Sequence, residues 1–171
     1  MVLGMSLQTF TLVHVLISLS GIASGLVVMY GFLTNKRLNS WTAVFLTTTA
    51  LTSLTGFLFP FNGVTPALTL GVISLLVLAI TIMTRYPPHP AWRKTYVITA
   101  CAVLYFNVFV LVVQSFEKIP GLKAIAPTQK EPPVAIAQLA GLGLFVVLTV
   151  LAVKKFRAEP VSTTKVTERA A

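Results

Sequence analysis

Residues 9–33 read TFTLVHVLISLSGIASGLVVMYGFL, with no acidic or basic side chain apart from the titratable His14. At about 1.5 Å of rise per residue, such a run crosses a hydrocarbon core roughly 30 Å thick with some tilt. Lipid has no partner for backbone N–H and C=O groups, so the run is expected to be a helix that satisfies its own backbone. Thr11, His14, Ser18, Gly21 and Gly25 follow steps of three and four and so form one stripe along it. That stripe is expected to face protein or water, and the rest of the chain to pack around this first helix. Residues 1–13 contain no Lys or Arg and the apolar character continues to Leu33, which favours a retained span over a cleaved secretory signal.

Four more apolar runs follow, over 41–59, 66–84, 95–116 and 133–153. The second carries Thr47, Thr48, Thr49, Thr52, Ser53 and Thr55. In water that composition favours a strand, but in lipid the hydroxyls can bond back to their own helix, and a helix with a polar face is expected. Ser40 is placed to cap this helix with Trp41 as its first residue, and Thr65 to cap the third with Pro66 in its first position. The connection 117–133 mixes charges with Ile119, Leu122 and Ile125, as suits a loop lying on a membrane interface. The expected architecture is all-α: a single five-helix transmembrane domain over 1–156, followed by a disordered tail over 157–171.

Composition agrees. Charged residues make up 10% of the 171 and hydrophobic ones 56%, whereas a soluble domain carries about 25% charged residues. The formal charge of +9 sits in loops between apolar runs, which is a topology signal and not a nucleic-acid face. Lys36, Arg37, Arg85, Arg93, Lys94 and the basic residues of the tail fall on one side. By the positive-inside rule the N-terminus is outside and the C-terminus cytoplasmic, with Tyr30, Trp41, Tyr86, Trp92 and Tyr96 at the cytoplasmic boundary.

Depth then groups the polar residues. His14, Ser18, Thr52, Thr55, Asn107, Gln114 and Gln138 all fall in the outer half, where they could line one ligand-binding pocket. The alternative is that they only hydrogen-bond between helices. The pairs Gly21/Gly25 and Ala137/Gly141 are small-xxx-small spacings that permit close helix packing, within the chain or between copies. Cys101 is the sole cysteine, His89 is expected to be solvated, and no intramembrane carboxylate is present to serve as acid, base or metal ligand. No catalytic residue, metal or cofactor is therefore assigned.

The strings TTTALTSLTGFLFPF (47–61), WRKTYV (92–97) and LYFNVFVLVVQSFEKIPGLKAIAPTQKEPP (104–133) resemble those of small polytopic proteins of bacterial inner membranes that have no assigned activity. The resemblance implies a multi-pass location in a bacterial cytoplasmic membrane and carries no activity to any residue. The expected function is an accessory or small-ligand-binding membrane protein, with membrane lipids and a membrane-protein partner or second copy as neighbours. A hydrophobic subunit contributing to a quinone or haem site, and a small channel or transporter, stay open as alternatives.

Overall fold

The computed structural model describes residues 2, 4–60, 66–86 and 90–157. Six α-helices account for most of these: α1 (Leu7–Leu33), α2 (Asn39–Gly56), α3 (Pro66–Arg85), α4 (Arg93–Lys118), α5 (Pro120–Ile125) and α6 (Pro132–Lys155). A 3₁₀ turn, Pro90–Trp92, leads into α4. The expected cap Thr65, the loop residue His89 and all of the tail after Arg157 lie outside the described residues.

Local chemistry sets the ends of α1. Ser6 caps it by accepting a hydrogen bond from the Thr9 backbone N–H at 3.1 Å. At its other end Asn35 adopts φ 55°, and the Lys36 N–H reaches back to the Gly31 carbonyl at 2.8 Å. This is the left-handed ending that satisfies the last carbonyls of a helix. Gly31 is required there, because a Cβ on it would lie 2.9 Å from the Lys36 carbonyl oxygen.

The chain then returns along α1 as α2. Gly31 faces Leu38, Gly25 faces Phe45, Gly21 faces Thr48 and His14 meets Thr55, so the two helices are antiparallel over the length of α2. The expected Ser40 cap is not formed. Helix α2 starts two residues earlier, at Asn39, with Leu38 in the cap position and no side-chain capping bond. The Asn39 side chain is engaged instead by Arg85.

Among the described residues, four helices, not five, are long and apolar enough to cross a membrane by length and composition: α1, α3 over Leu68–Arg85, α4 and α6. The physical reason α2 falls short is its threonine content, which lowers its apolar character over all of its eighteen residues. Hydroxyls of the long helices bond to their own backbone as expected: Ser18 to the His14 carbonyl, Thr48 to that of Val44, Thr81 to that of Val77 and Thr149 to that of Phe145, each within 2.7–2.8 Å.

The hub is α4 and not the first run. It packs against α1, α3 and α6, and its Asn107 reaches α2. Val97, Ala100, Cys101, Val103 and Leu104 of α4 are buried among Met29 and Phe32 of α1, Phe45 of α2, Leu78 of α3 and Phe145 of α6. Phe156, just beyond α6, closes this core by stacking edge-on against Phe32 at 5.0 Å between ring centroids. A smaller cluster of Phe116, Ala126 and Val134 joins the far ends of α4 and α6 beneath α5.

Outside this core the helices present apolar side chains to their surroundings. On α6, Ile136, Leu139, Leu144, Val146 and Val147 are all more than half exposed. An apolar surface of this extent is untenable in water and ordinary in lipid.

Candidate functional site

The seven polar residues placed at one depth by the sequence divide among separate helix contacts. Between α1 and α2, His14 Nδ1 and Thr55 Oγ1 are 2.8 Å apart. Thr55 also donates to the Leu51 carbonyl, so its lone pairs face the imidazole and the Nδ1–H tautomer is the one that fits. The Phe59 ring stands edge-on to the imidazole at 5.2 Å and is itself 4.9 Å from Phe10, which is buried. Two aromatic rings therefore wall this end of the α1–α2 pair.

One turn deeper on α2, Thr52 stands out. Its Oγ1 is buried and has no hydrogen-bond partner, although its carbonyl accepts from Thr55 at 3.2 Å. A threonine in a helix ordinarily discharges its hydroxyl onto the preceding turn, so an orphaned one is an exception that calls for a cause.

The remaining members go elsewhere. Ser18 is spent on its own helix, bonded to the His14 carbonyl. Asn107 of α4 donates its Nδ2 to Thr49 of α2 at 3.0 Å. Gln138 of α6 donates to the Phe109 carbonyl of α4 at 3.1 Å, and Gln114 is exposed. His14, Thr55 and Thr52 thus form one group, Asn107 with Thr49 a second, and Gln138 a third.

Thr49 is fully buried and was not singled out by depth alone. Thr42, Phe45, Thr49 and Thr52 follow helical steps along α2, and all but the half-buried Thr52 are fully buried. That spacing was the available signal.

Of the glycines, Gly21 and Gly25 are packed. A Cβ on Gly21 would meet Thr48 Oγ1 at 3.2 Å, and one on Gly25 would meet Leu104 Cδ1 at 2.5 Å and Phe45 at 2.9 Å. Gly141 has nothing within 4 Å of such a Cβ, and Ala137 packs half-buried against the Phe116 cluster.

At the opposite end of the bundle Arg93 caps α6, donating to the carbonyls of Val153 at 3.2 Å and of Phe156. Asn35 accepts from the Arg157 N–H at 2.6 Å, which ties the end of α6 to the α1–α2 turn. In the α5–α6 connection Glu131 accepts from both the N–H and the hydroxyl of Thr128, at 3.0 and 2.8 Å. Desolvation alone would push this carboxyl up, but the Thr128 bonds outweigh it and hold it below the ordinary glutamate value.

Four long apolar helices, α1, α3 and α6 packed around α4, with lipid-compatible outer faces, define a multi-pass helical membrane protein. Comparison with protein-family models, curated proteins and solved structures finds no match. Among the described residues no group of His, Cys, Asp or Glu could hold a metal ion.

Proposed function

We propose that the chain is a non-enzymatic, five-span protein of a bacterial cytoplasmic membrane, N-terminus outside, that holds a small lipophilic molecule at the outer end of the α1–α2 pair. Helix α2 counts as the fifth span in this reading because it runs antiparallel along α1 from Leu38 to Thr55. Eight basic residues, Lys36, Arg37, Arg85, Arg93, Lys94, Lys154, Lys155 and Arg157, lie at the other end, which by the positive-inside rule supports reading that end as cytoplasmic.

The observation that carries the ligand site is the buried, unpartnered Thr52 hydroxyl one turn from the His14–Thr55 pair. An unsatisfied buried hydroxyl costs about 1–3 kcal/mol. A ligand carbonyl or hydroxyl placed here would recover that cost, while Phe10 and Phe59 supply apolar contact to its body.

The test is solvent extraction and native mass spectrometry of the protein purified in a neutral detergent. Wild type should carry a lipophilic species whose occupancy falls about tenfold in His14→Ala and Thr52→Val, the loss expected for one hydrogen bond of about 1.4 kcal/mol. Equal occupancy in folded wild type and both variants would refute the site and leave His14 and Thr55 as a helix-to-helix bond only.

A further inference from the structure

Charge sidedness needs only surface lysines, yet the basic end of the bundle contains a buried arginine. Arg85, the last residue of α3, is 5% exposed. Its Nη2 donates to Asn39 Oδ1 at the start of α2, and its guanidinium lies 5.2 Å from the Tyr86 ring centroid and 5.5 Å from that of Tyr96. All three partners are neutral, and its Nε is buried with no hydrogen-bond partner.

Arg37, on the α1–α2 turn, repeats the pattern: it is half-buried and its Nε is also buried without a partner. The Arg85 guanidinium lies over the ring of Tyr96, which is 4% exposed, and Arg37 is two residues before Asn39, the acceptor of the Arg85 bond. Two partly or fully buried guanidinium groups therefore stand at one end of the bundle, linked through Asn39.

No described carboxylate offsets them. Glu117 pairs with Lys118 at 3.1 Å and Glu131 with Thr128, both at the far end of α4 and α6. Glu159 and Glu168 fall in the tail outside the described residues. Arg93 is not a third member, because its guanidinium is spent on the end of α6. Burying charge without a partner is strongly unfavourable, so two neighbouring guanidinium groups, each with a buried Nε–H that has no partner, fit a missing anion better than a finished core.

We propose that Arg37 and Arg85, assisted by Asn39, form a binding site for a phosphate oxyanion, the chemistry of an anionic lipid headgroup or of free phosphate. Guanidinium forks match phosphate oxygens in a bidentate way that lysine cannot. Asn39 has its oxygen committed to Arg85, which leaves its amide N–H₂ as a donor. The site sits where a lipid phosphate would lie, at the helix ends ringed by the exposed aromatics Tyr30, Trp41, Tyr86 and Trp92. It is at the opposite end of the bundle from His14 and stands or falls independently of the ligand site there.

The experiment uses the full chain in neutral detergent, titrated separately with phosphatidylglycerol, phosphatidylcholine and inorganic phosphate, and read by native mass spectrometry and thermal unfolding. Wild type should show saturable retention of phosphatidylglycerol or of phosphate, at least tenfold weaker in Arg37→Gln. The exposed-lysine controls Lys94→Gln and Lys154→Gln should change it less than twofold. Removing buried Arg85 can itself unfold the bundle, so Arg37→Gln is the primary variant and Asn39→Ala the second, both checked for native helicity by circular dichroism. Displacement of phosphatidylglycerol by millimolar phosphate would identify a free oxyanion as the ligand; retention of the lipid alone would identify the headgroup. The proposal is overturned if wild type retains none of the three probes more tightly than Arg37→Gln, or if the lysine controls lose as much as Arg37→Gln does.

Discussion

Replacing Gly25 by Ala tests whether α1, α2 and α4 meet as closely as described. The added Cβ would sit 2.5 Å from Leu104 Cδ1 and 2.9 Å from both Cδ2 and Cε2 of Phe45, well inside van der Waals contact. The Leu104 methyl ends a flexible side chain and can rotate away. Phe45 cannot, because its ring is 1% exposed and held in the central core. Overpacking of this kind costs about 1–3 kcal/mol. The better helix propensity of Ala returns about 1 kcal/mol, which leaves Gly25→Ala destabilised by up to about 2 kcal/mol. Gly141 is the matched control, since its added Cβ meets nothing within 4 Å. Gly141→Ala should be neutral or stabilised by up to about 1 kcal/mol. Reversible unfolding in mixed detergent micelles, monitored by circular dichroism with increasing dodecyl sulfate, reads both. If Gly25→Ala were as stable as Gly141→Ala, the three-helix contact at Gly25 would be wrong.

Three further outcomes are expected. A double-mutant cycle of Asn107→Leu and Thr49→Val, measured by the same unfolding, should give a coupling of about 0.6 kcal/mol, ordinary for a hydrogen bond between membrane helices; zero coupling would separate the pair. Arg93→Met should deprotect the amides around Val153 and Phe156 in hydrogen exchange while leaving α1 unchanged, because it removes the charged donor that caps α6; unchanged exchange at Phe156 would rule out the cap. Glu131 is held below its ordinary value, so the order it gives the α5–α6 connection should be complete above the usual glutamate range and lost as pH falls through its depressed folded value. A carboxyl titration by ¹³C NMR should show that depression in wild type and its partial reduction in Thr128→Ala, which removes the hydroxyl donor and keeps the backbone N–H; a normal glutamate midpoint in wild type would contradict it.

Much of the fold was legible because lipid imposes a simple rule on long uncharged runs. Helices α1, α3, α4 and α6 begin and end within a few residues of the expected spans, with Pro66 opening α3 as its fixed φ favours. The centre of the bundle was not legible. Every long run is apolar, and a side chain buried against protein has the same hydrophobicity as one facing lipid, so nothing marked α4 as the hub over α1. The same degeneracy hid the difference between Gly25, wedged against Phe45, and Gly141, which faces open space.

For the polar residues, depth could be counted along the chain but the azimuth of each helix could not. Gln114 and Gln138 belong to the same depth as His14, yet one is exposed and the other is tied to the Phe109 carbonyl. The threonines of α2 carried more information than their number implied, because Thr49 and Thr52 lie on the face turned inward while Thr47 is exposed. The basic residues Arg37 and Arg85 read as topology markers in the sequence; only their burial among neutral partners sets them apart from the exposed lysines.

Five spans place Leu7 and Leu58 on one side of the membrane and Thr34 on the other, and all three are exposed. Single cysteines at these positions, with the buried Cys101 replaced by Ala, can be labelled from one side of intact cells by an impermeant maleimide. If α2 crosses the membrane and the N-terminus is outside, Leu7→Cys and Leu58→Cys label in intact cells and Thr34→Cys labels only after permeabilisation. Labelling of Leu58→Cys together with Thr34→Cys would show that α2 does not cross, and would remove both the five-span architecture and the outer placement of the His14–Thr55 site.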